Sequence, residues 1–194
     1  MRPVRLHMEI DAMRLFLIVP CAIALTLSSV ALADDAAAVK KQILAGYAKR
    51  MEALKKRDIK GFIAFNADDY KGTSQGRTVT KAEVEADMTA YMADTNKINA
   101  YSYDVQNLKV NGNTATGKAT FALDATVKDS NGMFGAKGKL RRLKFEQVFD
   151  TTYAKISGNW KLSRETELSP PKMTIDGKPF NPMAPPGGAQ KPSK

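Results

Sequence analysis

The sequence predicts an α+β fold, three N-terminal helices packed on a strongly curved antiparallel sheet, and three observations carry it. Apolar residues recur at helical spacing through the first third of the chain. Alternating runs joined by Asn-Gly and Ser-Gly turns follow. Proline is missing from Asp34 to Ser169, so nothing interrupts helix or ladder there. Helices first and strands afterwards is the order of an α+β domain rather than of a parallel α/β sheet.

The first 33 residues read as a signal peptide. Arg14 precedes an apolar run from Leu15 to Leu27, which ends in Ala31-Leu32-Ala33, a small-residue site for cleavage after Ala33. That run falls short of the roughly 20 apolar residues of a membrane-spanning helix, so a periplasmic or secreted protein with no membrane span after processing is expected. The only cysteine, Cys21, and the only histidine, His7, lie in this leader. A domain spanning residues 34–168 would therefore have no disulfide, no Cys- or His-based nucleophile and no zinc site of the usual ligands; no metal and no cofactor is expected. Removing Arg2, Arg5 and Arg14 from 30 basic residues, and Glu9 and Asp11 from 20 acidic ones, leaves 27 against 18, a net charge of +9. The lysines are spread along the chain, which reads as a solvated basic surface and not as a specific nucleic-acid site.

Val39, Ile43, Tyr47, Met51 and Leu54 share one stripe of a helix over Ala36 to Arg57. Asp58 caps a second, Ile59 to about Asn66, and Tyr70 to Gly76 is a loop or short edge strand. Thr80 with Glu83 forms the capping box of a third helix, whose inner stripe is Val84, Met88, Tyr91 and Met92. The sheet starts after Asn96. Counting outward from Ser157-Gly158 pairs Tyr153 with Leu162, Thr151 with Arg164 and Phe149 with Thr166. One face then collects Leu143, Phe145, Gln147, Phe149, Tyr153, Trp160, Leu162 and Arg164, and Glu165 and Glu167 point the other way. Counting from Asn111-Gly112 sets Tyr101, Tyr103 and Val105 on the face away from Phe121 and Leu123. Either both faces are partly covered or a bulge shifts the register. A second parity conflict, counted from Asn131-Gly132, predicts a bulge within Gly135 to Arg142. Residues 169–194, with seven prolines and Gly187-Gly188, read as a Pro-rich, largely disordered tail unable to complete a sheet, docked in part to about Phe180.

The Tyr47 helix, Arg57-Asp58-Ile59, the Ala67-Asp68-Asp69-Tyr70 exit, Gly76 ahead of helix three and Ser157-Gly158-Asn159-Trp160-Lys161-Leu162, in that order, resemble the nuclear transport factor 2-like superfamily over Val39 to Leu168. The resemblance implies a long helix across a concave sheet, with a pocket in the cone between them. Members similar to ketosteroid isomerases, scytalone dehydratases and polyketide cyclases use pocket Asp, His or Tyr for proton transfer; others only bind or associate.

Three functions follow as expectations. The first is binding, without catalysis, of a small apolar or amphipathic molecule by a cone lined with Tyr47, Met51, Tyr70, Met88, Tyr91, Phe121, Phe145, Phe149 and Trp160. Gln147 would fix its polar end and Arg164 would answer an anionic group. The second is a cofactor-independent lyase or isomerase with Asp104 as the pocket carboxylate and Tyr70 or Tyr47 as donor. The third is a homodimer through the outer sheet face, where Tyr101, Tyr103 and Val105 would be exposed.

Overall fold

Val39, Ile43, Tyr47, Met51 and Leu54 are all at most 3% exposed, which makes their stripe the buried face of helix α1, Ala24–Lys55. The computed structural model describes residues 24–181 except 75 and 135, with side chains from Ala36 onward. The chain divides into two units at Asp35/Ala36; residues 24–35 are helical, and the sheet with the residues packed on it belongs to the unit that begins at Ala36. The leader up to residue 23 and the tail from residue 182 lie outside the described residues. Among the described residues no helix is long and apolar enough to cross a membrane.

The helix ends two residues earlier than its charge pattern predicts. Arg57 takes a left-handed φ of 59°, and its guanidinium turns away from α1 to donate to Met92 O (2.7 Å) and Thr95 O at the end of another helix. Asp58 then caps the short α2, Ile59–Ile63, by accepting from Gly61 N. Tyr70 to Gly76, expected as a loop or short edge strand, lies mostly in strand β1, Asn66–Ser74, which pairs with β2, Arg77–Thr80. Helix α3, Lys81–Asp94, starts at the Thr80/Glu83 capping box as expected.

The remaining strands are β3 (Thr95–Asn111), β4 (Thr114–Lys128), β5 (Leu140–Ile156), β6 (Asn159–Glu167), β7 (Lys172–Ile175) and β8 (Lys178–Phe180). The main order is β2-β1-β6-β5-β4-β3, with β7 on β5 and β8 on β7. The sheet is mixed, because β1 runs parallel to β6. The stretch after Ser169 does extend the sheet: Leu143 pairs with Ile175 and Met173 with Phe180, since the prolines at 170, 171 and 179 fall beside the ladder or on its edge strand.

Both parity conflicts resolve in one direction. The β3–β4 turn is Gly112-Asn113, one residue later than expected, and Asn107 (φ 54°) with Leu108 bulges out of β3 opposite Gly117. Tyr103 therefore pairs with Phe121 and Tyr101 with Leu123, all on the covered face, where Val105 is 0% exposed. Tyr101, Tyr103 and Val105 therefore do not form the exposed outer patch expected of them. No bulge interrupts β4–β5, which pairs without a break from Thr114↔Ala154 to Lys128↔Leu140. Residues 129–139 form a longer loop instead, held by buried Asp129, whose backbone bonds to Lys139 and Gly138 and whose carboxylate accepts from Phe134 N.

Candidate functional site

Beyond Tyr153↔Leu162 the β5–β6 hairpin departs from simple counting. Thr152 pairs with Arg164 and Thr151 with Glu165, so Ser163 is an extra residue, and its hydroxyl bonds Thr152 O at 3.0 Å. One inserted residue exchanges the faces of everything after it. Arg164 is exposed, and Glu165, expected on the opposite face, takes the inner position predicted for Arg164.

Glu165 enters a cage of tyrosines. Tyr70 Oη donates to its carboxylate at 3.1 Å, across the parallel pair in which Gly72 faces Glu165. Gly72 is required there: a Cβ would lie 2.7 Å from Tyr70 Oη and from Val79. From α1, Tyr47 meets Tyr153 Oη at 3.0 Å and stacks on Tyr103 with centroids 4.0 Å apart. Arg50, 5% exposed, sets its guanidinium carbon 4.1 Å from the Phe62 ring centroid, and its Nε and Nη1 meet no acceptor among the described residues.

The chemistry of the cluster follows from the burial of its polar atoms, although Glu165 and Tyr103 as whole residues are half-buried. Burial pushes the Glu165 carboxyl above its ordinary value, while the charge of Arg50 and the Tyr70 hydrogen bond pull it partly back. Burial likewise raises the phenols, Tyr153 to about 12 and Tyr47, Tyr70 and Tyr103 well above their ordinary value, so all four remain neutral donors near neutral pH. A carboxylate, a guanidinium and four hydroxyls can hold the polar end of a small molecule or exchange a proton with it.

An aromatic run leads away from this cluster: Tyr47 to Tyr103, Tyr103 to Phe121 at 4.6 Å and Phe121 to Phe145 at 5.9 Å. Phe145 also lines a groove of about 1010 Å³ with Tyr101, Leu123, Met173 and Phe180, residues that pair in one row across β3, β4, β5, β7 and β8.

Of the predicted site residues, Tyr47 and Tyr70 belong to the cluster, and Phe121 and Phe145 to the run. Met51 is core, with half-buried Met88 and Tyr91 packed against the same apolar group. Gln147 is buried but donates to Ser169 O, pinning the chain after β6. Phe149 is half-buried opposite Ala119 and Glu167, and Trp160 packs beside Leu162 and Tyr153. Two expectations fail. Asp104 is exposed and paired with Lys40 at 3.3 Å, because the β3 bulge turns it outward, and Arg164 faces solvent because of Ser163. Four cluster residues were not among the candidates: Tyr103, expected on the outer face, Tyr153, expected on the inner face but given no role, Arg50 and Glu165. Arg50 had a signal, standing three residues after Tyr47 and four before Leu54 on the apolar stripe. Glu165 had none, since no local pattern marks Ser163 as a bulge.

Neither a protein-family model nor a curated protein sequence matches the chain. Solved structures do match its fold. A protein from Kribbella flavida superposes with a TM-score of 0.55 at 12% identity, over 68% of this chain and 90% of that one. A candidate aromatic ring hydroxylase from Novosphingobium aromaticivorans gives 0.53 at 18%, over 70% and 93%. A candidate dehydratase of the nuclear transport factor 2-like family from Streptomyces avermitilis gives 0.50 at 17%, over 68% and 98%.

Proposed function

We propose that this chain, whose fold is that of the nuclear transport factor 2-like superfamily, works as an exported binding protein for a small amphipathic molecule. The observation that carries the reading is the Glu165–Tyr70–Arg50 cluster, a set of polar groups enclosed by aromatic rings at the end of the Phe145–Phe121–Tyr103–Tyr47 run. A structural role alone gives no reason for two unpartnered Arg50 nitrogens inside a core, where each costs about 1–3 kcal/mol. A ligand acceptor would offset that cost, and its apolar body would lie along the rings. Native mass spectrometry of the purified chain tests this: a small molecule released on denaturation is expected, and an empty chain that also ignores a panel of amphipathic ring compounds overturns it.

A second reading, proton transfer as in an isomerase or lyase, is favoured by one observation, the raised pKa of a carboxyl already hydrogen-bonded by a phenol. Glu165 would move the proton and Tyr70 would steady the developing oxyanion. Solvent deuterium entering the bound molecule with wild-type protein, and not with Glu165→Gln, is the expected result; equal incorporation by both proteins excludes Glu165 as the acid–base group.

A further inference from the structure

Between α1, α2 and the start of β6 lies a separate cleft of about 460 Å³. Its polar lining is Gln42, Lys49, Arg50, Asn159, Trp160 and Lys161, with no carboxylate among these residues. Gly46, Gly61, Ala45 and Ala64 keep its walls low. Two of the polar residues are buried donors without acceptors among the described residues: Trp160, 5% exposed, at Nε1, and Arg50 at Nε and Nη1. Lys161 reaches in far enough to donate to Ala64 O, and Lys49 is exposed on the rim. A single water would satisfy the indole, but it would not bring three cations to one cleft whose lining holds no carboxylate.

We infer that this cleft binds an oxyanion group, carboxylate or phosphate, of a small molecule, with the Trp160 indole and Arg50 as its inner donors and Lys49 and Lys161 as its outer cations. The two inner donors accept the charge where water is scarce, so the hydrogen bonds are charge-assisted and short. Lys49 and Lys161 draw the anion in and make its uptake salt-sensitive. The inference rests on the proposed reading only through Arg50, which borders both sites; Trp160, Lys49 and Lys161 belong to the cleft alone, so a fluorescence response that Lys49→Glu weakens is read apart from the cage ligand.

Trp160 is the only tryptophan in the chain, so fluorescence excited at the red edge of indole absorption, where tyrosine does not absorb, reads the indole of this cleft. The experiment titrates the full chain with inorganic phosphate and, separately, with benzoate, at low and moderate salt. A saturable change with either probe is expected, weakened about tenfold or more by Lys49→Glu and by added chloride; which probe saturates tells phosphate from carboxylate. Lys49 is exposed and in no ion pair among the described residues, so the variant should keep the parent's circular dichroism. A flat titration with both probes overturns the inference, and so does a change of equal midpoint in wild type and Lys49→Glu.

Discussion

Tyr70 Oη donates to the carboxylate of Glu165 across 3.1 Å, joining β1 to β6 inside the aromatic cage. The contact exists because Ser163 bulges. Exchanging the two residues that the bulge sorts, Arg164→Glu with Glu165→Arg, sets an arginine at the inner position in place of the carboxyl. The exchange is expected to lower stability by about 3 kcal/mol or more, the scale for a buried charge left without its partner. Urea denaturation measures it, and an unchanged midpoint would show that the bulge does not determine the site.

Ionised Glu165 is disfavoured by the fold, which fixes the sign of its pH dependence. Its folded pKa lies above the unfolded value of about 4.5, so the wild type is most stable with the carboxyl protonated and loses stability as pH rises through that value toward the folded pKa. Glu165→Gln should therefore gain on the wild type from pH 4 to pH 7, with Tyr70 still donating to the amide oxygen. Arg50→Met should raise the Glu165 pKa further. Thermal melts across that range, with carboxyl-carbon NMR of Glu165, check both; a gap between wild type and Glu165→Gln that stays constant with pH contradicts the assignment.

The six tyrosines supply an alkaline counterpart, since each has its pKa raised and Tyr153 reaches about 12. Stability conferred by neutral phenols is intact below the ordinary value near 10 and drains away as pH climbs above it. Tyrosinate absorbance at about pH 10 should stay well under that of the unfolded chain and then rise together with unfolding. Half-ionisation near pH 10 in the folded protein would contradict a dry cage.

Gly46 faces the ring of Phe65, and a Cβ there would sit 2.2 Å from it. Phe65 is hemmed in by Tyr47, with centroids 4.9 Å apart. Gly46→Ala returns about 1 kcal/mol of helix propensity against about 1–3 kcal/mol of overpacking, so a net loss is expected in a thermal melt.

Much of the fold was legible because it depends on local rules. The α1 stripe, the Asp58 cap and the Thr80/Glu83 box are each set by spacing within one helix, and the Ile156↔Asn159 turn by Ser157-Gly158. The site was less legible, because its composition turns on single inserted residues. Asn107 and Ser163 each exchange the faces of the strand beyond them, and that decides between Asp104 and Glu165, and between Arg164 and a solvent position. Tyr101, Tyr103 and Val105 show that the conflict was visible in the pattern even though its position was not. Arg50 was readable from the helix, but a charge on an apolar stripe points to a site only once Glu165 stands near it.

The most direct measurement is the affinity of the co-purified molecule, by calorimetry, for four variants in two pairs. Tyr70→Phe and Glu165→Gln should each weaken binding about tenfold or more, the scale of one hydrogen bond to a charged group. Asp104→Asn and Arg164→Ala, on the outer surface, should leave it unchanged. Full affinity in the first pair, or loss in the second, would contradict the placement of the ligand's polar end against Glu165.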